Sequence, residues 1–134
     1  MADVVRCVDN GLAITVDRLL VAPTHNPPKW LDMGTGTTAA RSDDTVLETP
    51  GPEARTESTL TAQTTDTTND TLRCVGTITK TTAAGAITEV GQFSHLTDTT
   101  GYLYLRGTFD AINLNVGDSI EFTTEVEYTN PADV

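Results

Sequence analysis

The chain has 134 residues, the length of one domain, and 19 acidic residues against 8 lysines and arginines, which gives a formal net charge of −11. Nucleic acids are bound largely through basic side chains, so this balance argues against a nucleic-acid partner. No stretch approaches the roughly 20 apolar residues of a membrane span, and residues 1–6 lack the pattern of a secretion signal. We therefore expect one domain over 1–134 that binds neither nucleic acid nor membrane.

The first predicted element follows a short N-terminal arm, about residues 1–8, and is a helix. Asp9 and Asn10 can cap it, and its apolar side chains recur on one side at helical spacing: Leu12, Val16, Leu19 and Leu20. The β-branched residues 14–16 leave a strand as the alternative. The helix ends before Pro23, and we expect it to cover an end or an open edge of a β-structure.

Short strands separated by turn residues are predicted from residue 29 onward. They include 29–33, which holds the single tryptophan, an edge strand within 53–64, and further strands around 72–78, 86–93 and 102–109. Glycine- or asparagine-rich turns are predicted at 34–38, 64–70, 98–101 and 110–117. A short C-terminal tail, about 130–134, follows the last strand.

The clearest strand runs from Asp118 to Thr129. The side chains predicted to be buried on it alternate with acidic ones: Ile120, Phe122 and Val126 against Glu121, Glu125 and Glu127. This period-two pattern is typical of a half-buried antiparallel strand. The fold is therefore predicted to be mainly β, an antiparallel β-sandwich or barrel-like domain with one short N-terminal helix.

The candidate reactive residues do not form a catalytic or metal-binding pattern. The Gly34–Thr38 turn has no lysine of a phosphate-binding loop, and neither His25 nor His95 has a second ligand at metal spacing. Ser94 and Ser119 stand outside any nucleophile motif, and the loop carboxylates at 43–44, 66 and 70 lack calcium-loop spacing. We expect a protein that is not an enzyme and that has no cofactor, metal or catalytic residue.

Arg106 shares its strand parity with Tyr102 and Tyr104. This row is predicted to be either a partner-binding surface or the ordinary solvent face of a strand. Aromatic residues are the usual anchors of protein interfaces, and Trp30 is a further candidate. The alternative for Trp30 is packing in the core.

Five blocks of the sequence form an ordered pattern: residues 30–40 (WLDMGTGTTAA), 44–48 (DTVLE), 69–77 (NDTLRCVGT), 86–93 (AITEVGQF) and 105–120 (LRGTFDAINLNVGDSI). In order and spacing they resemble a family of small structural proteins of tailed bacteriophages. Its members are labelled head decoration (cement) proteins or tail-fibre proteins. The resemblance extends from about Gly11 over most of the chain.

The resemblance implies a non-enzymatic part of the virion, made in the host cytoplasm and located on the outer surface of the capsid. Such a protein stabilises the expanded shell by bridging neighbouring major capsid protein subunits, as a homotrimer. The alternatives are a tail or fibre-base protein and a carbohydrate-binding module for the host surface. Long shafts and repeats are typical of fibres and are missing here, so the capsid is favoured.

A decoration protein needs one surface for its sister subunits and one for the shell. Trp30, Tyr102, Tyr104 and Arg106 are the candidates for the first. The arm before residue 9 and the polar loop 41–56 are candidates for the second, because either can add a strand to an exposed sheet edge.

The two cysteines, Cys7 and Cys74, are far apart in the sequence and form no CxxC motif. In a reducing cytosol we expect free thiols. Cys74 has the parity of a buried apolar residue. Cys7 is predicted to lie before the first regular element, which makes it the candidate for a disulfide between subunits after the particle leaves the cell.

Overall fold

The computed structural model describes residues 3–97 and 101–130 and confirms a mainly β fold with one short helix near the N-terminus. Two antiparallel sheets face each other and do not close into a barrel. The elements are β1 Val4–Cys7, α1 Asp9–Arg18, β2 Trp30–Gly34, β3 Thr56–Glu57, β4 Thr59–Gln63, β5 Thr71–Thr79, β6 Gly85–Phe93, β7 Leu103–Leu114 and β8 Ser119–Glu127. The five-stranded sheet has the order β1-β7-β6-β2-β3 and the three-stranded sheet the order β4-β5-β8.

The predicted N-terminal arm is an edge strand in its described part. Residues 4–7 pair with β7, from Val4 opposite Thr108 to Cys7 opposite Leu105. On the side that faces β7 the backbone groups of this segment are therefore already used within the chain, and the prediction of an arm is wrong for residues 4–7. Of the predicted C-terminal tail, only Asn130 falls within the described residues.

Helix α1 is confirmed, but its capping and its orientation differ from prediction. Val8 precedes the helix with extended backbone and gives no side-chain cap, so Asp9 lies in the first turn, where a carboxylate favours the helix dipole. Gly11 and Ile14 are the buried residues of the helix. A Cβ on Gly11 would overlap the carbonyl of Tyr104, so glycine allows α1 to pack directly on the β7 backbone. The predicted apolar stripe faces outward.

The predicted edge strand within 53–64 divides into two strands that belong to different sheets. β3 is the edge of the five-stranded sheet beside β2, and β4 is the edge of the three-stranded sheet beside β5. The chain crosses at Ser58, whose amide donates to the carbonyl of Lys29 over 2.7 Å. This crossing joins the two sheets at one corner of the sandwich.

Most of the core lies between the two sheets. It is formed by side chains from both of them: Leu31, Met33, Cys74, Ile78, Ile87, Val90, Leu114 and Phe122. On β8, Phe122 is buried as predicted and Glu121, Glu125 and Glu127 are exposed, while Ile120 and Val126 are half-buried rather than buried. No helix in the described part of the chain has the length and apolarity needed to cross a membrane.

β7 is longer than predicted, because residues 110–114 continue the strand instead of forming a turn. Ile112 pairs with Ile87 and Leu114 pairs with Gly85, so the strand follows β6 to its beginning. The turn is confined to 115–118, where Gly117 has φ +94°, a conformation that favours glycine. Local turn chemistry at 113–117 was overridden here by pairing across the sheet.

Candidate functional site

Arg106 lies at the centre of a buried ionic cluster. Its side chain is 2% exposed, so the prediction of an exposed Arg106 is wrong. Nε donates to Glu89 Oε2 and Nη1 to Asp44 Oδ2, both over 2.9 Å, and Nη2 donates to the carbonyl of Thr38 over 2.9 Å. Burial lowers the pKa of a guanidinium, but these acceptors outweigh it and the pKa of Arg106 is raised. The charge is therefore neutralised inside the chain.

Glu89 completes this cluster, which we call the Glu89 clasp and define as Glu89, Arg106, Asp44 and the backbone of 36–49. Glu89 Oε1 accepts from the amides of Gly36 over 3.1 Å and Thr49 over 2.8 Å. Its Oε2 accepts from the amide of Glu48 over 3.1 Å as well as from Arg106. Each oxygen has two donors, so this carboxylate is structural rather than a base or a ligand.

The clasp also determines the conformation of the loop that was predicted to contact a shell. A Cβ on Gly36 would come within 2.7 Å of the Glu89 carboxylate, so glycine is needed where the loop crosses it. Further along, Glu53 is buried and pairs with Lys80 Nζ, 3.2 Å from each carboxylate oxygen. Glu89 accepts hydrogen bonds from this loop and Glu53 within it pairs with Lys80, so the loop 41–56 is part of the folded body.

A third buried carboxylate, Asp32, lies on β2. Its Oδ1 accepts from the amide of Met33 over 2.9 Å, and Oδ2 lies 4.0 Å from Arg55 Nε. Burial raises the pKa of Asp32 to about 6, while the Met33 hydrogen bond and Arg55 oppose the shift. The Arg55 guanidinium also stacks 3.5 Å from the centroid of the Phe93 ring. The group is a structural carboxylate that titrates unusually high.

The predicted row along β7 is broken by a bulge at Tyr104. Gln92 of β6 pairs with Leu105, whereas the next residue, Phe93, pairs with Leu103, which leaves Tyr104 as the extra residue. A bulge changes which face the following side chains occupy. The two tyrosines and Arg106 therefore do not form a single exposed row.

Tyr104 and Tyr102 have different surroundings. Tyr104 is buried, and its hydroxyl lies 2.6 Å from that of Tyr128, which is in turn 3.1 Å from Thr15 Oγ1. Burial, followed by the hydrogen bond with Tyr128, raises the pKa of Tyr104 well above its usual value. Tyr102 is half-buried with its ring between His25 and His95, at centroid distances of 5.1 and 5.0 Å.

Trp30 is half-buried and packs against a small core cluster of Val8, Leu47, Phe93 and Leu103. Lys29 Nζ lies 5.0 Å from the centroid of its ring. Core packing, the alternative considered for this residue, describes its observed contacts. Its role in a subunit interface is untested.

A serine and a histidine meet in the structure, but their geometry is not that of a hydrolase. His25 Nδ1 lies 3.0 Å from Ser94 Oγ, and Ser94 is fully buried. Asp17 accepts from the backbone amide of His25 over 2.8 Å, not from its ring. Burial of the hydroxyl and the missing carboxylate–imidazole bond leave no activated nucleophile at this position.

Two of the loop carboxylates considered for calcium, Asp44 and Asp70, are bound by protein groups. Asp44 belongs to the clasp, and Asp70 accepts from the amides of Thr65, Asp66 and Thr67 at the tip of the β4–β5 hairpin. The Thr65 and Thr67 bonds are the main reason that the pKa of Asp70 is far below its usual value. Within residues 3–97 and 101–130, no group of three or more metal-ligating side chains is arranged around a common point.

An exposed apolar surface is formed by α1 and the residues that follow it. We call it the ridge and define it by five side chains that are mostly in solvent: Leu12, Val16, Leu19, Leu20 and Val21. Leu12, Val16 and Leu19 are 59%, 61% and 82% exposed and recur at i, i+4 and i+7, on one face of the helix. Contiguous apolar surface of this kind marks interaction sites.

Beside the ridge, an open groove of about 470 Å3 separates α1 from the three-stranded sheet. Its lining is mainly apolar and includes Ile14, Leu19, Pro28, Leu60, Leu72 and Tyr128. Leu19 therefore belongs to both the ridge and the groove. The hydroxyls of Thr15, Tyr104 and Tyr128 meet along its wall.

A second open surface lies along β8. This strand is an edge of its sheet, and a groove of about 560 Å3 runs beside it between the two sheets. Phe109, Ile120 and Phe122 contribute apolar surface to the groove, and Glu121 and Glu125 contribute carboxylates. An unpaired edge with an apolar groove can accept an added strand.

Both cysteines are free thiols. Cys74 is buried, as predicted, with Sγ 2.8 Å from Ser58 Oγ. Cys7 is the last residue of β1 and is half-buried, so the expectation that it precedes the first regular element is wrong. Burial raises the pKa of both thiols.

Comparison of the chain with protein-family models, with curated proteins and with solved structures found no match. The structural features that the sequence patterns did not identify are Glu89, Glu53 and the Tyr104–Tyr128 pair. Strand alternation does not single out Glu89, because residues 89–93 are all buried and a register shift separates Ile87 from Glu89. A carboxylate at such a position requires a cation or amide donors nearby.

Proposed function

We propose that the chain is a non-enzymatic structural protein of a tailed-phage virion that decorates the outer surface of the expanded capsid. In this proposal a homotrimer bridges neighbouring major capsid protein subunits. The observation that carries the proposal is the contrast between a polar interior with complete hydrogen bonding and an exterior with open apolar surfaces. Among the described residues, no buried side-chain nitrogen or oxygen lacks a hydrogen-bond partner.

This contrast favours a binding protein over an enzyme. Catalytic groups need to be accessible to a substrate, and their surroundings usually shift their pKa values to suit the reaction. Two carboxylates with strongly shifted pKa values, Asp32 and Asp70, are bound to backbone amides. Asp32 is buried, and Asp70, which borders the groove beside α1, accepts from loop amides through both of its oxygens. The surfaces open to a partner include the ridge with its groove and the edge of β8.

The blocks that carry the resemblance to decoration proteins coincide with the parts that stabilise this fold. Residues 30–40 and 44–48 form β2 and the clasp loop, 86–93 form β6 with Glu89, and 105–120 include Arg106 and the β7–β8 turn. The 69–77 block begins at the hairpin tip organised by Asp70. The pattern shared with decoration proteins thus supports a common scaffold. In this proposal the open surfaces bind the sister subunits and the shell.

The mechanism we propose is stabilisation by mass action. A protein that binds only the expanded shell stabilises it by RT ln(1 + [L]/Kd) per site. Three linked subunits bind as one unit, so the effective concentration of the second and third contacts is high. One open surface then serves the sister subunits, and the β8 edge serves an extended segment of the shell protein.

The test is the copy number of the chain in purified virions, measured by quantitative mass spectrometry against the major capsid protein. Hundreds of copies per particle support the proposal, and a handful would indicate the tail or fibre-base alternative. Absence from particles would contradict both. For function, particles that lack the chain should release DNA at lower temperature, and added protein should restore the wild-type temperature.

A further inference from the structure

The ridge is the least expected surface of this chain. Its five exposed apolar side chains lie on α1 and on the three residues that follow it, and none of them is buried by the described residues of the same chain. The sequence pattern alone would place these side chains against a core, because an apolar helix face with this spacing usually packs there. Because the helix packs through Gly11 and Ile14 instead, the ridge is available to another molecule.

The groove next to the ridge has the complementary shape and chemistry. It is concave and lined by apolar side chains, and Leu19 is shared between the two surfaces. A ridge cannot fill the groove of its own chain, since both are fixed by α1. It can enter the groove of a second copy, where large apolar residues would lose their contact with water.

Charge favours a second copy over other partners. The chain carries a net charge of −11, so most faces of two copies repel each other. Residues 10–28, which hold the ridge and one wall of the groove, contain one acid, Asp17, and one base, Arg18. The carboxylate of Asp17 is occupied by the amides of Thr24 and His25. The opposite wall of the groove adds one carboxylate, Asp70, which accepts from the amides of Thr65, Asp66 and Thr67. Two copies can therefore approach through this region with less repulsion than the net charge of the whole chain would give.

We propose that the chain associates with itself by packing the ridge of one copy into the groove of another. The inference deepens the proposed function, since it assigns the contact between sister subunits to α1 and the β4–β5 side of the groove. It does not depend on binding to a capsid. The extent of the ridge, which continues past the groove to Leu12 and Val21, favours a protein surface over a small apolar ligand as the occupant.

The test is the mass of the purified chain in solution, by sedimentation equilibrium, for the wild type and three lysine variants. Val16→Lys places a charge on the ridge, and Ala62→Lys places one in the groove. Val116→Lys is the matched control, because it is 59% exposed and lies in the β7–β8 turn. All three positions are exposed, and thermal unfolding verifies that each variant folds.

The wild type and Val116→Lys should sediment as the same multiple of 14.3 kDa. Val16→Lys and Ala62→Lys should each raise the dissociation constant of self-association by roughly 30-fold or more, the effect of losing a central interface contact. An equimolar mixture of the two variants should regain association, because one ridge and one groove remain intact between them. A monomeric wild type overturns the proposal, and so does a ridge variant that keeps the wild-type mass.

This experiment separates the inference from the proposed function. A chain that self-associates through the ridge but is absent from virions retains the inference and contradicts capsid decoration. A chain abundant in virions but monomeric in solution, with Val16→Lys binding particles as the wild type does, contradicts the inference alone.

Discussion

At the Glu89 clasp, two buried charged side chains, Glu89 and Arg106, pack with the half-buried Asp44, whereas along α1 and just after it five large apolar side chains face the solvent. The two regions invert the usual distribution of residue types between interior and surface. At the clasp the inversion is compensated inside the chain, because each charge has partners at hydrogen-bond distance. Along the ridge no compensation is present among the described residues.

This difference shows that burial in this protein follows the availability of partners rather than hydrophobicity alone. Buried charges are tolerated when they are paired and hydrogen-bonded. A fold can tolerate several exposed apolar residues on one surface, but such a surface usually marks a site of interaction with another molecule. The clasp therefore explains part of the fold, and the ridge is the surface that we propose for assembly.

Substitution of Arg106 should have the largest effect on the clasp. Arg106→Met removes the cation and keeps most of the volume, so Glu89 loses its counter-charge in a buried position. We expect the free energy of unfolding to fall by about 4 kcal/mol, as is typical when one partner of a buried pair is removed. Urea denaturation monitored by circular dichroism measures it.

The control for this prediction is Arg73→Met. Arg73 pairs with Glu125 over 3.1 Å on the surface, where both side chains are substantially exposed. Exposed pairs contribute about 0–1 kcal/mol, so the control should be nearly silent. Equal losses in the two variants would show that the clasp has no special role in stability.

The apolar core provides the next largest effect. Phe122 is buried between the sheets and its ring lies 5.9 Å from that of Phe109. Phe122→Ala should cost about 3 kcal/mol through lost burial and the cavity left behind. Glu125→Gln on the exposed face of the same strand should change stability very little. If the two variants lost equal stability, the assignment of the two faces of β8 would be wrong.

The strands and α1 were largely predictable from the sequence, since alternation and helical spacing are local signals. The β8 pattern located a real strand with the correct faces, and Cys74 was correctly assigned to the interior. The β7 surroundings were not predictable, because a bulge at Tyr104 and pairing of 110–114 with β6 depend on distant residues. One unpaired residue is enough to change the faces of a strand.

The burial of the site residues was the least predictable property. The spacing of Leu12, Val16 and Leu19 correctly identified one face of the helix. Spacing alone does not say whether that face packs on the sheet or is exposed to solvent. Gly11 decided the orientation, because only a residue without Cβ permits the close approach to Tyr104. In the same way, Arg106 became interior because the 36–49 loop folds over it, a contact that spans more than 50 residues of sequence.

Asp32 gives a smaller effect that depends on pH. Its pKa is raised from 3.8 to about 6, so the folded state binds its proton more tightly than the unfolded state does. The stability it contributes is present below pH 3.8 and is lost as the pH rises through 6. Asp32→Asn should therefore be more stable than the wild type above pH 6, by on the order of 2 kcal/mol, and should lose this advantage near pH 4.

Asp70 is the matched opposite for the pH series. Its pKa is lowered by the loop amides, so its contribution to stability is present above the unfolded pKa and is lost as the pH falls. Asp70→Asn should be less stable than the wild type at neutral pH, and the difference should shrink in acid. Thermal unfolding of the three proteins from pH 2 to pH 8 tests both signs, because the Asp70 contribution is lost mainly below pH 4 and the Asp32 contribution between pH 4 and pH 6. Curves that stay parallel over this range would contradict both.

The thiols give the smallest effect, one of rate rather than stability. Thiol chemistry requires a thiolate with access to the reagent, and burial raises the pKa of Cys7 and Cys74 alike. Cys7 is at the end of a four-residue edge strand, whereas Cys74 lies in the central strand of its sheet. We therefore expect slow alkylation of Cys7 in the native chain and modification of Cys74 only on global unfolding.

A disulfide between subunits through Cys7 stays a prediction. After oxidation of assembled protein, a crosslinked band on non-reducing electrophoresis should vanish in Cys7→Ser and persist in Cys74→Ser. A crosslink that survives Cys7→Ser would contradict this order of reactivity and would show that the three-stranded sheet opens more readily than β1 leaves its edge.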